Sequence, residues 1–211
     1  MLSHKISKEQ ALSIPSVSAS VDLIANTVAS IPIYLYQEAN GNVTDISDYR
    51  TFLINDETGD TLNGFDFKKS LVIDYLINGD GYAYINRERN KIKSLHYVDN
   101  DRVSVLTSPS AIFKSYDLLV DGTTYRDFEF VKVLRNTKDG ATGTGIIEQN
   151  NTLLSVAYYS LLFENKLIGR GGNKKGFLQA ENKLSEETMV ALKEAWNRLY
   201  QNDSENVMVL N

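Results

Sequence analysis

The stretch Ala11–Tyr36, ALSIPSVSASVDLIANTVASIPIYLY, joins a proline-started amphipathic helix directly to an apolar strand. Val17, Val21, Ile24 and Val28 recur at helical spacing and predict one buried stripe. Pro15 suits the first helical turn, where its missing N–H would have had no intrahelical partner. Ile31-Pro32 ends the helix, because a residue before proline is pushed toward extended geometry. Ile33-Tyr34-Leu35-Tyr36 then opens a strand.

Beyond it, Asn40-Gly41-Asn42 is a hairpin turn signal, followed by a weaker strand over Val43–Ile46. Ser47 is the predicted cap of a short helix carrying Tyr49, Phe52 and Leu53. After a polar loop over residues 54–64, a second amphipathic helix spans Phe65–Asn78. Phe67, Leu71, Tyr75 and Leu76 lie on one side of it, and Gly79 stands where a left-handed C-cap belongs. Strands are predicted at Tyr82–Arg87, Ile92–Val98, Arg102–Leu106, Phe113–Val120, Thr124–Tyr125 and Phe128–Leu134. Turns at Arg89-Asn90 and Asp121-Gly122 separate four of them. Short strands at this spacing make a mostly antiparallel lobe, and the flanking helices make the class α+β.

The Gly/Thr loop at residues 138–145 is the best internal boundary. A long helix follows over Ile146–Leu167, with Ile147, Asn150, Leu154, Tyr158 and Leu161 at helical spacing. At 1.5 Å per residue it is roughly 33 Å long. Its exit, Gly169-Arg170-Gly171-Gly172, is glycine-rich. A small β-α-β unit closes the chain: a strand at Lys175–Ala180, a helix from Glu186 to Tyr200 capped by Ser185, and a strand at Val207–Leu210. Met189, Leu192, Trp196 and Leu199 form that helix's apolar stripe. The organisation expected is therefore 1–140, 141–172 and 173–211.

With 42% hydrophobic and 23% charged residues, the 211-residue chain has a globular composition and can bury a sizeable core. No apolar run approaches the eighteen or so residues of a membrane span. The first ten residues lack the apolar segment of a secretory signal, which places the chain by default in the cytoplasm. Without cysteine there is no disulfide framework, thiolate nucleophile or cysteine zinc site. The net charge of −5 is shared by both halves, against a tight static nucleic-acid binder. A conduit past which DNA slides remains compatible with it.

Catalytic signatures are sparse. His4 and His96 are the two histidines, and His96 reads as a half-buried structural residue of a strand. Gly143-Thr144-Gly145 invites a phosphate-loop reading, but Glu148 stands where a third glycine belongs, leaving a flexible loop before a helix. Asp99 and Asp101 could ligate Mg²⁺, while an Asx turn between strands explains them more simply. From Asn165 to Phe177 the only charged residues are Lys166, Arg170, Lys174 and Lys175. These four cations suit a helix C-terminus, and also a surface that contacts DNA phosphate or a docking partner. No enzymatic activity and no cofactor is expected.

Four blocks in this order resemble tailed-phage portal proteins of the HK97 type. They are Ala11–Tyr36; Leu71–Val105, LVIDYLINGDGYAYINRERNKIKSLHYVDNDRVSV; Phe163–Leu178, FENKLIGRGGNKKGFL; and LSEETMVALKEAWNRLYQ with the following NVMVL. The resemblance implies that the strand-rich part is wing-like, the long helix a first stem helix, and the β-α-β unit clip-like. It further implies a dodecameric ring at a capsid vertex, through which double-stranded DNA passes without sequence specificity. The partners it implies are other copies of the chain, the terminase large subunit, a head–tail adaptor and the capsid protein, with no membrane. The location implied is the virion, with assembly in the host cytoplasm, and any ATP hydrolysis belongs to the terminase.

A ring would also shelter the stem-helix stripe of Ile147, Leu154, Tyr158 and Leu161 between copies. Two departures stand out. Portals of this type continue into a second stem helix, a tunnel loop, more wing and a crown, whereas Asn211 falls inside or just after the clip. Gly143–Ile147 also replaces the family's usual Gly-x-Ser-Pro stem-helix start. The rivals are a shortened portal-like protein that interferes with portal assembly or terminase, and, least favoured, a metal-dependent nuclease around Asp99 and Asp101.

Overall fold

The computed structural model describes residues 5–110, 112–169 and 184–201, without the side chains of 195–201. The chain divides into two compact units, Met1–Val156 and Ala157–Asn211. The predicted strands at Lys175–Ala180 and Val207–Leu210 lie outside the described residues, so only the helix of the β-α-β unit is seen.

The first unit begins with α1 (Lys8–Leu12), a short helix that the polar N-terminal sequence does not announce. Ser7 and Gln10 form a capping box at its start. α2 (Pro15–Ser30) carries Pro15 in its first turn and ends at Ile31, as the sequence requires. Its buried face, however, is Val21, Ala25 and Ala29; Ile24 and Val28 of the expected stripe are 45% and 42% exposed. Small residues four apart let α2 lie close against α4 (Gly64–Ile77), and alanine contributes little to an apolar pattern read by eye.

A two-stranded hairpin follows, β1 (Tyr36–Ala39) with β2 (Asn42–Asp45), fully exposed along both strands. The strand therefore starts at the end of the predicted Ile33–Tyr36 segment. α3 (Tyr49–Asn55) is capped by Asp48, one residue after the predicted Ser47. Asp48 Oδ1 accepts the Arg50 N–H at 2.8 Å from extended backbone, the geometry an N-cap needs.

α4 leads through Gly79 (φ +102°) into β3 (Asp80–Glu88), confirming the left-handed cap. β3 lies between β4 (Lys91–Val98) and β8 (Phe130–Leu134), both antiparallel to it. A second antiparallel sheet holds β5 (Val103–Thr107), β6 (Tyr116–Val120) and β7 (Thr123–Arg126). β6 starts three residues after the predicted Phe113, which is 82% exposed in the preceding loop.

Strand alternation splits the core in two. Ala83 and Leu95 face the helices and pack with Leu53, Phe67 and Leu71. Tyr82 and Phe130 face the second sheet and pack with Leu118. There Tyr84, Tyr125 and Phe130 meet edge to face, with ring centroids 5.4–5.7 Å apart. Each such pair contributes about 1 kcal/mol beyond its buried area. The first unit is thus layered as helices, sheet and sheet, and its mixed helical and antiparallel class is the α+β one that the sequence predicts.

α5 (Ile146–Gly169) leaves the first unit, and α6 (Glu186–Gln201) belongs to the second. Ser185 Oγ accepts the Thr188 N–H at 3.3 Å, the predicted cap. Met189 and Leu192 of the predicted α6 stripe are 53% and 42% exposed, and the side chains of Trp196 and Leu199 lie outside the described residues. Among the described residues no helix is long and apolar enough to cross a membrane.

Candidate functional site

The chemistry of the first unit gathers where the N-terminal segment, the end of α4 and the start of α5 meet. Asp74 occupies the face of α4 that carries Phe67 and Leu71, the place the periodicity gave to Tyr75 and Leu76. It has no solvent exposure, yet Lys8 Nζ lies 2.6 Å from Oδ1 and the Tyr97 hydroxyl donates to Oδ2 at 2.6 Å. Burial pushes its carboxyl above the ordinary range, and these two donors pull it back. On Lys8 burial is the largest single effect and acts to lower the pKa, but the Asp74 hydrogen bond together with the negative charges of Asp74, Asp99 and Asp101 outweighs it and holds the ammonium above its usual value. Tyr97 is raised by burial and by donating to Asp74.

The Gly/Thr loop supplies no phosphate cradle. The Gly143 N–H already donates to the Asp80 carboxylate, and a Cβ at Gly143 or Gly145 would fall 2.2 Å from the Gly79 or Ile77 carbonyl oxygen. These glycines are there for close backbone approach. The Asp139 carboxylate accepts the N–H groups of Thr142 and Ala141, both at 2.9 Å, which lowers its pKa to about 2. A phosphate arriving here would meet two carboxylates.

The nuclease candidates are likewise committed. Asp99 Oδ1 accepts the Asp101 N–H at 3.3 Å, an Asx turn, and also lies 3.7 Å from Lys8 Nζ. Among the described residues no three His, Asp or Glu side chains group as a metal site. His96 is 3.1 Å from Asp60 through Nδ1 and 2.8 Å from Ser94 Oγ through Nε2, a half-exposed bridge between a loop and its own strand.

The stem-helix prediction is corrected in part. Ile147 and Leu154 are 4% and 6% exposed, buried in their own chain and therefore not free for another copy. Tyr158 is half-buried and Leu161 is 39% exposed. The exposed apolar residues at helical spacing are instead Leu153, Val156, Phe163 and Leu167, between 45% and 70% exposed. Lys166 is exposed on α5, and Arg170, Lys174 and Lys175 lie outside the described residues.

Sequence reasoning missed the Lys8–Asp74 pair, and also Asn151, whose Oδ1 accepts the Ile6 N–H at 3.0 Å. The one signal was Asp74 itself, a charge in register with Phe67 and Leu71. Lys8 sits in a polar segment without periodicity, and its partner is 66 residues away.

The phage portal protein family model matches residues 15–211. The chain belongs to this family. Within it, the chain is 22% identical over 208 residues to a probable portal protein of Streptomyces phage phiC31, covering 90% of this chain and 44% of that one. It thus spans less than half the length of that curated portal relative. The crystal structure of a HK97 family phage portal protein from Corynebacterium diphtheriae is similar in fold, with a TM-score of 0.62 at 12% identity, over 98% of this chain and 66% of that one. The neck of a native gene transfer agent particle, computed with C12 symmetry, gives a TM-score of 0.57 at 19% identity, over 96% and 57%. The mixed helical and antiparallel fold of the portal chain is therefore that of HK97-type portals.

Proposed function

We propose that this portal-family chain is a structural subunit of a ring at a phage capsid vertex, through which double-stranded DNA is packaged and ejected. The family match over residues 15–211 carries the reading, and the similar gene transfer agent neck with its C12 symmetry supports a cyclic assembly. The exposed stripe of Leu153, Val156, Phe163 and Leu167 offers an apolar face for a neighbouring copy. In this reading residues 1–140 are wing-like, 141–172 hold the stem helix and its glycine-rich exit, and 173–211 are clip-like. Lys166, Arg170, Lys174 and Lys175 contact DNA phosphates or the docking partner, either terminase or the head–tail adaptor. The work is mechanical rather than enzymatic, in the virion and, during assembly, in the host cytoplasm.

Light scattering combined with electron microscopy of the purified chain tests this. Rings of about a dozen copies are expected from a closed cyclic interface. A monomer at every concentration would overturn ring formation by this chain. Replacing Lys174 and Lys175 with Ala is expected to weaken binding to double-stranded DNA or terminase, and unchanged binding to both would remove the basic surface from the proposal.

A further inference from the structure

The two longest stretches of the chain without Asp, Glu, Lys or Arg are residues 23–37 and 149–163, fifteen residues each. The second lies in α5 and carries Leu153 and Val156 of its exposed stripe. The first is the end of α2 and the segment leading into β1. α2 packs on α4 along the narrow line of Val21, Ala25 and Ala29, which leaves Leu23 70%, Ile24 45%, Val28 42% and Ile31 56% exposed. Ile33 and Tyr34 prolong this face at 44% and 58%.

The polar groups of that face are satisfied from within the chain. Ser20 Oγ donates to the Ser16 carbonyl at 2.8 Å, Thr27 Oγ1 to that of Leu23 at 2.7 Å, and Ser30 Oγ to that of Thr27 at 2.7 Å. Lys68 Nζ donates to the Ile31 carbonyl at 3.0 Å. The Asn55 side chain accepts the Ile33 N–H at 2.9 Å and donates to its carbonyl at 2.8 Å. Asp22, the one charge on α2, lies 3.5 Å from Lys69 Nζ. Covering these groups forfeits little hydration, because each already has a partner.

A closed ring of more than two copies needs a head-to-tail contact between two different patches. The α5 stripe supplies one side of such a contact, and another surface must supply the other. We propose that this other surface is the exposed face of α2 with residues 31–34, and that it receives Leu153 and Val156 of α5 from the adjacent copy. Charge selects the second copy as the occupant. Two chains of net charge −5 repel least where both facing surfaces lack charge, and residues 23–37 and 149–163 are the longest such runs. Depletion of charge is also what marks the core of a protein interface. The pairing deepens the ring reading proposed above and rests on it.

The chain has no cysteine, so introduced thiols report on single positions. Leu23 and Leu153 are both 70% exposed, and Leu23→Cys and Leu153→Cys are expected to leave folding intact. The full chain is prepared with each change and with both, sized by light scattering, treated with a short bis-maleimide and run on denaturing gels. The double variant is expected to give a ladder of dimers, trimers and larger species. An equal mixture of the two single variants is expected to stop at dimers, and each single variant alone to stay monomeric on the gel. Dimers from either single variant alone would show like faces meeting and would sink the head-to-tail pairing. Oligomers in light scattering without a ladder from the double variant would overturn the α2 surface and leave the ring reading standing. A monomer in light scattering at every concentration would overturn both.

Discussion

Lys8 Nζ lies 2.6 Å from Asp74 Oδ1, an ion pair between a short N-terminal helix and a carboxylate without solvent exposure on α4. Such a pair is costly to form, and costlier still to leave half made. Lys8→Met is therefore expected to destabilise the first unit by about 3 kcal/mol, because Asp74 stays buried with only Tyr97 as donor. Urea unfolding monitored in that unit measures it. Lys8→Met with Asp74→Leu is expected to recover most of the loss, since no charge then remains in the core.

The Asp139 loop carries an acid-range dependence. The hydrogen bonds from Thr142 and Ala141 hold this carboxyl at about 2, below its ordinary 3.8. A depressed pKa means stabilisation that is complete above 3.8 and lost as the pH falls toward 2. Asp139→Asn is expected to flatten the acid dependence of amide exchange at residues 141 and 142. A wild-type profile already flat between pH 5 and 2 would contradict the assignment.

Gly145 allows the loop before α5 to lie against the end of α4. A Cβ there would stand 2.2 Å from the Ile77 carbonyl oxygen and 2.3 Å from the Asn78 carbonyl carbon, both backbone. Backbone yields little, so Gly145→Ala is expected to cost about 3 kcal/mol through overpacking. Gly122→Ala, with open space around its Cβ, serves as a turn control with a smaller loss from its positive φ.

The exposed apolar stripe of α5 separates assembly from folding. Leu153 is 70% and Phe163 66% exposed, so Leu153→Lys with Phe163→Lys is expected to change unfolding free energy by no more than about 0.5 kcal/mol. The same pair is expected to abolish higher oligomers in light scattering. Rings that persist would place the copy-to-copy contact elsewhere on the chain.

Several elements were legible because their signals are local. Pro15 and Ile31-Pro32 bound α2, Gly79 ends α4, and the Asn40-Gly41 and Asp121-Gly122 turns connect the hairpins. The Asx turn at Asp99 and the structural place of His96 could also be read from neighbours in sequence. The buried side of α2 could be read only at Val21; Ala25 and Ala29 were missed, because α2 packs on α4 through small residues that add little to an apolar pattern. Likewise, Ile147 and Leu154 share a sequence period with Tyr158 and Leu161, but only the first two are buried.

The amino-acid sequence by itself determined the order of helices and strands from α2 to α5, the α+β class and the portal-family wording of four blocks. Caps, turns and alternation act over a few residues, so they can be read along the chain. Tertiary structure alone decided that Lys8 would meet Asp74, that Ile6 would reach Asn151, and that α5 would break at Asn150. Those contacts join residues 66 and 145 positions apart. No local propensity encodes them, because their energy appears only after the helices and sheets have packed and excluded water.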